Sequence, residues 1–173
     1  MATEYSKPLP RPLSPALSRP FWEAARRHEL VMPRCKTCDQ LFFYPRSECP
    51  RCLSTDLEWV KMSGHGRLHS FTIVQQPANA AFNADVPYVY AVVQLNEGPR
   101  MVSNIVQCDL EALRVDMPVE AVYDDVTPEW TLVKFKPASR ETSRNACSDQ
   151  PARPQAARGT PLSPRPGARQ HRP

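Results

Sequence analysis

The chain has 173 residues, 22 of them basic and 18 acidic for a formal net charge of +4, with 20 prolines against five glycines and with six cysteines. That length holds one ordinary domain, or a small one with a metal module and tails, and no apolar run approaches the ~20 residues that span a bilayer, so a soluble cytoplasmic protein is expected. Residues 137–173 hold seven prolines, seven arginines, two acidic residues and no lysine, a net of +5, which leaves residues 1–136 at −1; nucleic-acid binding by the folded part is disfavoured, because it needs clustered Lys and Arg to neutralise phosphate.

In residues 1–17, Pro8, Pro10, Pro12 and Pro15 recur in a near-alternating pattern that excludes helix and predicts a flexible, extended, polyproline-like arm. Residues 18–30 read as a helix: Ser18 or Arg19 can cap it, Pro20 suits its first turn, and Phe21-Trp22-Glu23-Ala24-Ala25 follows with helix formers. Phe21 and Trp22 share a side with Ala25. That side packs on the body of the protein, contacts a partner subunit or lines a ligand groove. Leu30-Val31-Met32 then leads in as a short strand.

Residues 31–62 are organised by two matched pairs, Cys35-Lys36-Thr37-Cys38 and Cys49-Pro50-Arg51-Cys52. A two-residue gap lets backbone amides turn inward while both sulfurs face one ion, and four thiolates at about 2.3 Å in a tetrahedron suit Zn2+. Doubling of the motif disfavours a redox use. A pair of disulfides needs an oxidising compartment, and no signal peptide precedes the motif. Iron takes the same four sulfurs. The expectation is a zinc ribbon with structural zinc on Cys35, Cys38, Cys49 and Cys52. A closed four-sulfur site offers substrate no open position, so no catalytic role is assigned to it. Between the pairs, Leu41-Phe42-Phe43-Tyr44-Pro45 reads as the outgoing arm of a β-ribbon.

Leu57 to Met62 alternates as a strand, and Ser63-Gly64-His65-Gly66 breaks it, with His65 a turn residue. Arg67 to Gln75 alternates, with Leu68, Ser70, Thr72 and Val74 on one face and His69, Phe71 and Ile73 on the other. A loop carrying Phe82 follows. Tyr88 to Leu95 is the strongest strand, turned by Asn96-Glu97-Gly98-Pro99 into Arg100 to Val106. Asp109 to Leu113 forms a helical turn, and Val119 to Tyr123 and Trp130 to Phe135 are the last strands. Three strands, a helical insertion and two more match the five-stranded Greek-key barrel known as the OB-fold, over residues 63–137; other small barrels share that order. Residues 138–173 read as a disordered Pro/Arg-rich tail. Cys108 and Cys147 have no partner thiol or neighbouring His in the sequence and read as incidental.

The ordered set Phe21-Trp22-Glu23, Leu30, both cysteine pairs, Phe43-x-Pro45, Trp59, Gly64-x-Gly66, Ser70-Phe71-Thr72, Pro87-Tyr88, Leu95-Asn96-Glu97-Gly98, Met117-Pro118-Val119 and Phe135-x-Pro137 resembles the DUF35 family over about residues 18–137. The resemblance implies a mainly β chain with an N-terminal helix, a rubredoxin-like zinc ribbon and a C-terminal OB-fold. It also implies a non-catalytic, acyl-CoA-binding subunit of a hetero-oligomer with a thiolase-like enzyme or an aldolase. Such a site needs an apolar groove and a few cations at its mouth, for which Phe71, Phe82, Tyr88, Arg67 and Arg100 are the candidates; each alone also reads as barrel core or solvated charge. Asp39 and Leu53 stand after the knuckles, and Asp116 before Met-Pro-Val, where the family often has Gly. Asp tolerates a left-handed turn and Leu does so poorly, so the second knuckle is expected to turn differently. The alternative function, a single-stranded nucleic-acid binder stacking bases on Phe71, Tyr88 and Tyr90, meets the objection of the −1 charge.

Overall fold

The structure, a computed structural model, describes residues 5–12 and 14–138. Apart from Ala138, the tail expected at 138–173 lies outside them, as does Cys147. The one α-helix, α1, runs from Pro15 to Arg26 with Ser14 as its N-cap. It therefore starts inside the stretch expected to be arm. Pro15 takes the first turn, where a missing N–H is harmless and a fixed φ helps, and Pro20, expected in that position, is instead carried inside the helix. The C-terminal end is a Schellman turn: the His28 N–H donates to the Ala25 carbonyl at 2.8 Å and the Glu29 N–H to the Ala24 carbonyl at 3.0 Å. His28 supplies the left-handed residue, at φ 58°, where glycine is usual. With no glycine to mark the stop, the helix expected to reach residue 30 ends at Arg26. The His28 ring stacks on Tyr123 at 5.1 Å, and its Nε2 lies 3.0 Å from the Asp125 carboxylate.

Strands β1 (Val31–Cys35) and β2 (Leu57–Lys61) form a two-stranded antiparallel ribbon, in register from Val31 opposite Lys61 to Cys35 opposite Leu57. The expected arm at Leu41–Pro45 is not a strand; its one tie to the ribbon is a bridge between Leu41 and Arg34. The physical reason lies in the aromatics. Phe42 is buried and the Phe43 ring lies 5.6 Å from Phe21 of α1, so the segment leaves the sheet to pack against the helix.

The remaining strands, β3 (His65–Val74), β4 (Tyr88–Leu95), β5 (Arg100–Ile105), β6 (Pro118–Thr127) and β7 (Trp130–Pro137), close into a barrel in the order β3-β4-β5-β7-β6. β5 and β7 meet in parallel at Ile105 and Phe135, and every other pair is antiparallel. This is the OB-fold order. His65 and Gly66 open β3 rather than breaking a strand, paired with Glu120 and Val119. Gly66 is needed there, since a Cβ would sit 2.4 Å from the Gln94 carbonyl oxygen. The face expected for β3 is also corrected. A bulge between Leu68 and Ser70 makes His69 an extra residue, so Leu68 and Phe71 point to the core while Ser70 and Thr72 are exposed.

The barrel is filled by Leu68, Val89, Ala91, Val93, Leu95, Met101, Ile105, Val119, Val133 and Phe135, none more than 8% exposed. Phe21 and Ala25 of α1 and Leu30, Met32 and Met62 of the ribbon region belong to the same buried cluster. Helix, ribbon and barrel thus share one interior, in which each fully buried large aliphatic or aromatic side chain contributes roughly 1.5–3 kcal/mol. Among the described residues no helix is long and apolar enough to cross a membrane.

Candidate metal centre and ligand groove

β1 delivers Cys35, and the knuckle that follows turns by a bond from the Asp39 N–H to the Cys35 carbonyl at 2.8 Å. The second knuckle repeats the turn, with the Leu53 N–H donating to the Cys49 carbonyl at 3.0 Å. Asp39 and Leu53 have φ of 58° and 61°, so the expectation that Leu53 would turn differently is overturned. The turn is set by the need to aim two sulfurs at one point, and Leu53 accepts the strained conformation with its side chain in solvent, 71% exposed. Asp116 is left-handed too, at φ 65°.

The four Sγ atoms lie within 4.8 Å of one another, with Cys35 and Cys52, and Cys38 and Cys49, each 3.5 Å apart. A tetrahedron with 2.3 Å arms has edges of about 3.8 Å, so the donor set has the size for zinc. Its protonation chemistry points the same way. Burial pushes the Cys35 thiol up, but the Cys38 N–H, the Cys52 thiol and the Thr37 N–H bring it down to about 6. In Cys49 burial is likewise outweighed by the backbone N–H groups of Cys52 and Arg51, and the thiol is lowered. At Cys38 the Gln40 N–H favours the thiolate, yet burial and the three neighbouring sulfurs prevail and push it up to about 12. Cys35 and Cys49 are thus pulled toward the thiolate while Cys38 is held back from it; a divalent cation bound among the sulfurs would remove the repulsion and favour thiolates. Cys35 and Cys49 are buried, Cys38 is half-buried and Cys52 exposed.

Next to the ribbon, α1, the Phe43-Tyr44-Pro45 segment and the outer faces of β5 and β7 enclose a hollow of about 650 Å³. Its walls include Phe21, Trp22, Phe43, Tyr44, Met101 and Leu132. Trp22 is held edge-on by Phe21 at 5.0 Å and by Trp130 at 4.8 Å. Tyr44, at the ribbon end, is 57% exposed, a large aromatic surface that the fold leaves in water. A second hollow of about 470 Å³, walled by Phe82, Tyr88 and Tyr90 among others, continues along the same sheet face. The two adjoin, with Asn104, Leu132 and Lys134 lining both, and together they make up the groove side of the barrel. Lys134 pairs with Asp124 across β6 and β7.

Of the five residues proposed for a CoA ester, the structure brings Phe82 and Tyr88 into this groove. Arg67 and Arg100 come together elsewhere, flanking Gln94 from β3 and β5. Arg100 donates to the Gln94 side chain at 2.7 Å and Arg67 to the Asp116 carbonyl at 3.2 Å. Gln94 stands six residues along β4 from Tyr88, which at ~3.4 Å per residue puts the arginines about 20 Å from the aromatics. Phe71, opposite Ala91, packs against the core. Sequence reasoning misses Phe43, Tyr44 and Lys134 as groove residues; the aromatic run at 42–44 is the usable signal, since three adjacent aromatics exceed what one face of a strand can bury.

Two family models match the chain: the rubredoxin-like zinc ribbon domain of ChsH2 over residues 22–58 and the C-terminal OB-fold domain of ChsH2 over residues 59–124. A probable enoyl-CoA hydratase alpha subunit of Thermomonospora curvata is 38% identical over 141 residues, 79% of this chain but 44% of that protein. The chain thus spans less than half the length of that relative. A DUF35 domain-containing scaffold protein of Methanothermobacter thermautotrophicus is 38% identical over 105 residues, 60% of this chain and 78% of that one. A benzoylsuccinyl-CoA thiolase subunit, BbsA, of Geobacter metallireducens is 33% identical over 90 residues, 50% of this chain and 56% of that one. Among solved structures, a chain of the Ltp2-ChsH2(DUF35) aldolase is 36% identical with a TM-score of 0.67, and the match covers 75% of this chain and 100% of that one. With the two domains in the same order, the four thiols clustered for one metal and matches of this extent, the chain belongs to the DUF35 family.

Proposed function

We propose that this protein is a non-catalytic scaffold subunit that assembles with a thiolase-like or aldolase enzyme in the cytoplasm and holds part of an acyl-CoA. The observation that carries the reading is the match to the whole of a chain found in a solved aldolase. Relatives named as scaffold proteins and as a thiolase subunit support it. The matched part of the hydratase alpha subunit is under half of that protein, so a hydratase step is not carried over to this chain.

The geometry suits such a division of labour. A closed tetrathiolate metal has no position for substrate, and its work is to hold the ribbon, and with it Phe43 and Tyr44, against α1. The groove has the size and apolar walls of a small-molecule site, with Arg11, Ser103, Asn104 and Lys134 among its polar groups. Pantetheine and an acyl chain lie along such walls, with the thioester presented to the partner enzyme. The test is affinity capture of the full chain from its own cells, followed by turnover assays with acyl-CoA. The expected result is a co-purifying thiolase-fold or aldolase enzyme, with turnover confined to preparations that contain it. Robust turnover by the lone chain would overturn the proposal. So would the absence of an enzyme partner together with single-stranded DNA binding, at physiological salt, that survives deletion of residues 138–173.

A further inference from the structure

Residues 5–12 lie along this groove. Tyr5 and Lys7 line its second hollow beside Phe82 and Tyr88, and Pro10, Arg11 and Pro12 line the first beside Trp22 and Tyr44. Among the described residues no backbone–backbone hydrogen bond ties this segment down, as expected of a polyproline-type strand whose prolines lack a donor. Its polar anchor is the ion pair of Lys7 Nζ with Asp85 Oδ1 at 2.6 Å, about a third exposed on both sides, an arrangement that holds weakly. The segment also leaves the space beneath it unfilled: hollows of about 650 and 470 Å³ remain with it in place, whereas a segment packed as core leaves none. It carries two cations, Lys7 and Arg11, and no acidic residue. No ion pair among the described residues involves Arg11.

From these observations we infer that residues 5–12 are a cationic strap that closes over a ligand lying in the groove, with Lys7 and Arg11 facing the phosphates of a CoA-type molecule. The inference rests on the acyl-CoA reading and adds to it the part of the chain that supplies positive charge. A weakly anchored strap opens readily to admit ligand. The stiffness of a polyproline segment keeps the entropy lost on closing small. Charge then discriminates between ligands: a phosphate-bearing one gains from the strap, and a neutral one does not.

The experiment is calorimetric titration of the full chain, in complex with its enzyme partner, using coenzyme A and the phosphate-free fragment pantetheine as probes. The variants are Arg11→Ala, and Lys7→Ala made together with Asp85→Ala so that no bare carboxylate is left to repel phosphate. Each is expected to weaken coenzyme A binding by about tenfold and to leave pantetheine binding unchanged, while deletion of residues 1–12 weakens coenzyme A at least as much. Wild-type affinity for coenzyme A in these variants would overturn the strap, and tighter binding after the deletion would show the segment to be a plug instead. If the wild-type complex binds neither probe, the acyl-CoA reading itself falls, an outcome separate from failure of the strap alone.

Discussion

The ribbon and the barrel are held together by different physics, although they share one interior. Between Lys36 and Lys61 the buried apolar side chains are Phe42 and Cys49, too few to offset the entropy of ordering that length of chain at about 1–2 kcal/mol per residue. The barrel closes on ten buried apolar side chains drawn from all five strands. A short segment with little core is made rigid by ligation; a longer one is made rigid by burial. The difference explains where strain is tolerated. The ribbon keeps Leu53 in a left-handed turn because the metal geometry demands it, whereas the barrel uses glycine at the close approach of Gly66 to Gln94.

The comparison breaks most sharply at the metal. Cys35→Ser is expected to abolish zinc binding, which in small zinc domains is worth an apparent ~10–16 kcal/mol, and to unfold the ribbon; elemental analysis and circular dichroism read both. If the barrel strands keep their amide-exchange protection in that variant, the two regions fold on separate supports. Normal melting with no bound metal would refute a structural site.

Phe135→Ala tests the other side. Phe135 is fully buried where β5 meets β7, and its truncation is expected to cost ~3–5 kcal/mol in urea unfolding, with zinc content unchanged. Loss of zinc from that variant would show that the ribbon leans on the barrel.

The smallest effect sharpens the account of strain. Leu53→Gly is expected to stabilise the ribbon by ~0.5–1 kcal/mol, the relief of a left-handed Leu less the added freedom of Gly in the unfolded chain. Leu53→Ala should give no gain. Thermal melts followed by the Trp59 signal compare the two, and equal melting points would remove the strain.

Much of the fold and of the metal centre was legible in the residues, and the misses have a common origin. β4 was read residue for residue from Tyr88 to Leu95, because its β-branched and aromatic run is bounded by Pro87 and the Asn96-Glu97-Gly98 turn. The four metal ligands were legible because a two-residue gap between thiols has few other uses. The ends of α1 were not. Their signals are a proline at the first helical position and a histidine at the left-handed stop, both ambiguous until His28 is seen against Tyr123 and Asp125. The bulge at His69 was invisible because it exists only in the pairing with β4, and it reassigns every face beyond it.

By itself the sequence determined the helix and the five barrel strands, which four thiols cluster as a metal site, and that the basic charge sits in the tail rather than in residues 1–136. Those are matters of local period, ligand spacing and arithmetic. Tertiary structure alone decided that Phe82 and Tyr88 share a groove with Phe43 and Tyr44, that Arg67 and Arg100 flank Gln94 at the far end of β4, that Phe71 turns inward, and that residues 5–12 lie along the groove. Each of these depends on contacts between residues distant in the chain, and strand register with barrel closure sets them.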